Sequence, residues 1–162
     1  MADGKQLLVA WLNDAHAVEK GIVEALESQV KVAEDHPMVQ SGIQRHLEET
    51  KRHVELVEQC LDELGERPSA LKSGVASVGA KVQALMMSSA EDDLVKASLN
   101  DYATEHMEIA SYKALRVAAQ ELGYPAIADT CGQIILDEEA MATWLDENLP
   151  TLVREAVTEG GT

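Results

Sequence analysis

Apolar residues return every three or four positions along four long stretches of the chain, the period of a helix with one buried face. The spacing predicts helices over about 5–34, 36–64, 91–122 and 125–148, and a short fifth helix over 150–158 opened by Pro150. Asp35 is the expected cap of the second helix, with Pro37 in its first turn, where proline is tolerated. Gly65 and Gly123 stand where the second and third helices should stop. The third helix opens in SSAEDDL, a capping sequence. Between the second and third helices, 65–90 is rich in Ser, Gly and small residues, with one modest helical pattern, SVGAKVQALMM, whose Met86–Met87 pair reads as packing filler. Two helices, a long crossover and two more helices make an all-α four-helix bundle with one long connection, and 1–162 fits a single domain.

Each apolar line is broken near its middle by polar residues. The first helix reads Leu8, Leu12, Ala15, Glu19, Ile22, Leu26, and the fourth Ile127, Cys131, Ile134, Glu138, Met141, Leu145, Leu149. On the second the line is Gly42, His46, Glu49, His53, Leu56, Cys60. The third is Leu94, Ser98, Asp101, Glu105, Glu108, Tyr112, Leu115, Ala119, Leu122, apolar at its ends and acidic in the middle. A carboxylate on a buried seam costs several kcal/mol unless something pairs with it.

Height along the bundle matters as much as face. In antiparallel packing the midpoints of neighbouring helices lie level, which predicts one layer holding Glu19, Glu49, Glu108 and Glu138. An internal repeat supports this. EKGIVEAL from Glu19 matches EIASYKAL from Glu108 at Glu, Ala and Leu, and LEET around Glu49 matches LDEE around Glu138. Thirty residues separate Glu19 from Glu49, and thirty separate Glu108 from Glu138. The two hairpins therefore read as copies related by a pseudo-two-fold axis. His16 then falls opposite Glu105, and the pairs His16-x-x-Glu19 and His46-x-x-Glu49 each share a helix face.

Composition narrows the partners. The formal net charge of −16 argues against nucleic acid and against an anionic membrane surface. No apolar run is long enough to span a bilayer, and Met1–Lys5 shows no signal-peptide pattern. Cys60 and Cys131 sit in apolar helical patterns and read as buried thiols of a reducing compartment, so a cytoplasmic location is expected. There is no Gly-rich phosphate loop, no zinc-type Cys cluster and no Ser/His/Asp set on a common face. His36 and His106 are expected to be exposed or capping.

Four carboxylates in one apolar layer cannot all ionise without cations. A pair of metal ions removes the difficulty, and carboxylate with imidazole suits Fe, Mn or Zn. Candidate ligands are Glu19, Glu49, Glu108 and Glu138, with His46, His16 or Glu105 completing the shell and His53 as ligand or support. Tyr112, one turn from Glu108, is placed to hydrogen-bond a ligand or supply an electron.

At these residues the chain resembles a known family. HLEETKRHVELVEQCLDELGERPSALK, EHMEIASYKAL and ILDEEAMATWL resemble the YciE/YciF-type stress-protein family of the ferritin-like superfamily, over about residues 7–150. The resemblance implies a ferritin-like bundle, a homodimer, and a bacterial protein linked to stress. The wider superfamily, bacterioferritin and rubrerythrin included, uses a Glu on helices 1 and 3 and Glu-x-x-His on helices 2 and 4. This chain departs from that pattern, with Glu138-x-x-Met141 on helix 4 and Arg52 at the matching offset from Glu49, His53 following one position later. A bacterioferritin-like interval favours Glu105 as the main helix 3 ligand, while internal symmetry favours Glu108.

Two functions follow. One is a dinuclear Fe or Mn protein that reacts with oxygen or peroxide. The other is a non-catalytic dimeric stress bundle that binds metal weakly or only structurally, which loss of the usual histidines favours. Iron storage in a hollow shell is the weakest reading, since nothing marks a cage-forming surface.

Overall fold

The computed structural model describes residues 3–69 and 93–159, and these form four helices: α1 Gly4–Val32, α2 Pro37–Glu63, α3 Asp93–Glu121 and α4 Pro125–Glu159. The expected crossover helix, Met86–Met87 and most of the SSAEDDL cap lie outside the described residues. No helix among those described is long and apolar enough to cross a membrane.

Short turns fold α1 against α2 and α3 against α4, and each hairpin is tightly packed, while the seams α1–α3 and α2–α4 between hairpins are looser. Leu64 and Gly65, at φ +75°, end α2, and Gly123, at φ +80°, ends the turn after α3. That left-handed backbone is one glycine adopts without a Cβ penalty. Residue 36 rather than Asp35 takes the N-cap position of α2, because the His36 amide already closes the turn onto the Ala33 carbonyl.

Cross-hairpin contacts fix the directions. Gly4 lies against Leu122 and Gln29 bonds Asp101, so α1 and α3 are antiparallel. His36 meets Glu155, Gly42 meets Trp144 and His53 meets Asp137, so α2 and α4 are antiparallel too. Hence α2 and α3 run the same way, and Leu64 and Asp93 stand at opposite ends of the bundle. That is the one-crossover topology. At Gly42 the packing is close: an added Cβ would lie 2.3 Å from the Trp144 ring.

The expected separate helix after Pro150 is instead the end of α4, which runs through Pro150 to Glu159. Proline removes one N–H and so deprives the Asp146 carbonyl of its helical donor. Burial of Leu152 in the core and the His36–Glu155 contact of 3.6 Å hold the last turns in place regardless.

The apolar core comes in two parts. One packs Leu8, Leu12, Val57, Leu61, Leu115, Ile127, Cys131 and Ile134 among others, and the second packs Leu26, Ala33, Val39, Ile43, Leu47 and Leu152. Both cysteines are free and buried. Between the two clusters the inward positions are polar.

Candidate metal centre

The polar layer follows from helix phase. Leu8, Leu12, Ala15 and Glu19 recur at helical spacing on the buried side of α1, as do Glu105, Glu108, Tyr112 and Leu115 on α3 and Ile134, Glu138, Met141 and Leu145 on α4. On α2 the buried line is Ile43, His46, Thr50, His53, Val57, Cys60. Glu19, Glu105, Glu108, Glu138, His46 and His53 are all at most 2% exposed.

These side chains converge in two groups that share Glu138. In one, donor atoms of Glu19, His53 and Glu138 all lie within 4.8 Å of one another; in the other, those of His46, Glu105 and Glu138 do. His53 Nδ1 is 2.9 Å from Glu138 Oε1 and 3.8 Å from Glu19 Oε2, and His46 Nε2 is 3.0 Å from Glu105 Oε1. None of these contacts is aligned as a hydrogen bond. Glu19 Oε2, Glu105 Oε2, Glu108 Oε1, both Glu138 oxygens, His53 Nδ1 and both His46 nitrogens are buried without a hydrogen-bond partner. Lone pairs gathered in one place and aimed past each other fit a cation between them.

The outer contacts orient the inner atoms. Asp137 Oδ2 stands 3.1 Å from His53 Nε2, and Arg52 pairs with the same carboxylate oxygen. With Asp137 accepting the Nε2 proton, His53 presents Nδ1 to the interior, the carboxylate–histidine arrangement found behind metal ligands. The Tyr112 hydroxyl donates to Glu19 Oε1 and leaves Oε2 free. The Thr50 hydroxyl is satisfied by the His46 carbonyl at 2.9 Å.

Without a metal the layer balances its charge with protons. Burial raises Glu19 to about 7 and Glu105 to about 8, and the neighbouring histidines only partly offset it. Burial also pushes Glu108 well above the carboxylate range, with Glu19, Glu138 and Glu105 adding repulsion. Burial opposes the charge on His46, but Glu105, Glu49 and Glu138 outweigh it and lift His46 to about 10. Burial opposes the charge on His53 too, but Glu138, Glu19 and Asp137 raise it above the usual imidazole range. Glu138 is buried as well, yet His53, Glu105 and His46 hold it below the usual range. Protonated imidazoles around an ionised Glu138 thus occupy the electrostatic role that cations would fill.

Of the residues expected at the centre, Glu19, Glu105, Glu108, Glu138, His46 and His53 are brought together. Glu105 belongs to a three-residue group; Glu108 is buried beside it electrostatically but is in neither group. Glu49 is displaced to the edge: its side chain is 31% exposed, with Oε2 3.8 Å from His46 Nδ1. The cause is the phase of α2, which turns Thr50 inward in place of Glu49 and Val57 in place of Leu56. His16 is buried but pairs with Glu58 at 2.8 Å, apart from both groups. His106 is exposed and stacks edge-on against Tyr102, and His36 meets Glu155. Sequence reasoning missed Asp137, Arg52 and Glu58. Asp137 adjoins Glu138 and Arg52 adjoins His53, so the signal was an opposite-charge pair one step off two buried lines.

Comparison with known proteins agrees with this architecture. The family described as "Domain of unknown function (DUF892)" matches residues 3–158. Protein YciF of Escherichia coli strain K12 is 26% identical over 140 residues, 84% of this chain and 84% of that protein. The crystal structure of that stress protein superposes with a TM-score of 0.84 at 23% identity, covering 96% of this chain and 99% of the other. A Xanthomonas campestris pv. campestris protein superposes at 0.86 with 32% identity over 99% and 100% of the two chains. A structure described as ferritin-like, diiron-carboxylate proteins from Bacillus anthracis matches at 0.69 and 16% identity, over 92% and 99%.

Proposed function

The chain belongs to the DUF892 family, the YciF-type branch of the ferritin-like proteins, and on that premise we propose that its polar layer holds two metal ions, Fe or Mn. The observation that carries the reading is Glu138: it belongs to both donor groups, and both of its buried oxygens lack hydrogen-bond partners. Glu138 would serve both donor groups. Glu19 and His53 would complete one side, and His46 and Glu105 the other, with Glu108 available to either. A pair of such ions supplies valence change in reaction with oxygen or peroxide.

The chain's own residues supply the rest. Asp137 fixes the His53 ring, and the Tyr112 hydroxyl holds Glu19 by one oxygen while its other oxygen stays free to bind. Two apolar clusters flank the layer along the bundle. By likeness to the E. coli stress protein, the role we assign is that of a stress protein.

Metal content measured by mass spectrometry tests this, on protein expressed in iron- and manganese-supplemented medium and purified without chelator. About two ions per chain are expected. Glu138→Ala, which touches both groups, should lose both ions, and Glu19→Ala at least one. A metal-free parent, with both variants as well folded as it is, would leave the non-catalytic stress bundle as the function.

A further inference from the structure

A pocket of about 290 Å³ opens between α1 and α3, on the looser seam between the hairpins, and its floor is part of the polar layer. Trp11 and Met107, each 43% exposed, stand at its mouth, and Ala15, Val18, Ala114 and Leu115 form apolar walls. Glu108 and Tyr112, each 2% exposed, lie at the bottom. Glu108 Oε1 is buried with no hydrogen-bond partner. One residue is thus shared between the layer and the pocket.

We propose that this pocket binds an uncharged, mainly apolar small molecule bearing one hydrogen-bonding group, and holds that group against Glu108. Size permits it: a dry apolar cavity of about 150 Å³ already takes up benzene, so this pocket has room for a ring and several further atoms. Charge selects against anions. The described lining contains no Lys, Arg or His, and its ionisable groups are Asp14, Glu108 and Tyr112, each neutral or anionic. An anion entering would be desolvated against apolar walls with no cationic side chain in the described lining to pair it. A neutral molecule loses little water and meets the Glu108 carboxyl group at the floor, as in small-molecule sites where a few polar groups orient a ligand held by apolar contact. As a substrate site the pocket rests on the proposed metal centre; as a binding site it stands without it.

The test uses the chelator-treated full chain, so that it is independent of bound metal. Benzyl alcohol and benzoate, one ring with and without a charge, are titrated while the indole N–H resonances of Trp11 and Trp144 are followed. Trp11 lines the pocket, and Trp144 packs with the second apolar cluster and serves as an internal reference. Benzyl alcohol should shift the Trp11 resonance saturably and leave Trp144 in place. Benzoate should bind at least about tenfold more weakly. Ala114→Leu, a change at an exposed helical position that fills the pocket, should abolish the saturable shift while the thermal melt stays that of the parent. The proposal is overturned by equal binding of benzoate, by absence of a saturable shift, or by an unaltered response in Ala114→Leu. A Trp11 resonance that follows protein concentration instead of benzyl alcohol overturns it as well, and identifies a second copy of the chain as the occupant. Failure here leaves the metal count untouched, and a metal-free parent leaves this titration valid.

Discussion

Helices α2 and α4 take equivalent places in the two hairpins, and each carries half of one motif. Facing inward are His46, Thr50, His53 and Val57 on α2, and Ile134, Glu138, Met141 and Leu145 on α4. Aligned by the faces they bury, Thr50 stands where α4 has Glu138, and His53 stands where α4 has Met141. The Glu-x-x-His unit of ferritin-like bundles is thereby divided, with the imidazole on α2 and the carboxylate on α4. The halves meet across the bundle, His53 Nδ1 against Glu138 Oε1 at 2.9 Å. Spatial equivalence therefore differs by one residue from the thirty-residue repeat, which pairs Glu49 with Glu138. A donor set can survive the loss of its local motif when a neighbouring helix carries the missing piece.

The proposed metal binding should depend strongly on pH, the largest effect expected, because the buried donors carry protons. Glu19 and Glu105 hold protons below about 7 and about 8, and His46 holds one up to about 10. Each must release its proton before it can ligate, so affinity rises with pH. Between pH 6 and 8 the gain should be at least about tenfold per unit, read by competition with a chromogenic chelator. A flat or falling profile would mean that these groups do not bind the metal.

A smaller effect tests the support on the α2 side. Asp137→Ala removes the partner of His53 Nε2 and frees the ring to turn. Affinity should drop by about 10–100-fold without change in the number of ions bound at saturation. Loss of stoichiometry instead would make Asp137 a ligand.

The smallest effect is a gain. Met141→His restores an imidazole one turn from Glu138 at a site 3% exposed. If the motif is divided as described, affinity rises by about tenfold, the lower end of what single changes around a metal achieve. Isothermal titration at pH 7.5 reads it. Unchanged or weaker binding would show that the Met141 position does not face the ions.

Much of this is legible in the sequence. On α1, α3 and α4 a single carboxylate-bearing break in an otherwise apolar line located Glu19, Glu105, Glu108 and Glu138, because burying charge is costly enough to require a reason. On α2 two frames fitted equally well. Gly42–Ile43, Glu49–Thr50 and Leu56–Val57 are adjacent pairs of like character, and His46, His53 and Cys60 belong to both lines. Tertiary packing chose the frame with Thr50 inside, and nothing local distinguishes it. Asp137 was illegible for a related reason: its importance lies in contact with a residue 84 positions away. At Pro150 a strong local signal lost to the burial of Leu152 one half-turn further on.

The indole of Trp144 rests on bare backbone at Gly42, where a methyl group would collide with three ring atoms at 2.3–2.8 Å. That contact works as a detent. It sets how far α2 can slide along α4, and His46 sits one turn beyond it on the same face. Any side chain at position 42 must displace the indole or part the helices at this notch, and parting them would carry His46 out of step with Glu105 and Glu138. The spacing of the donor atoms is in this sense gauged at a distance, by the one residue with no side chain to offer.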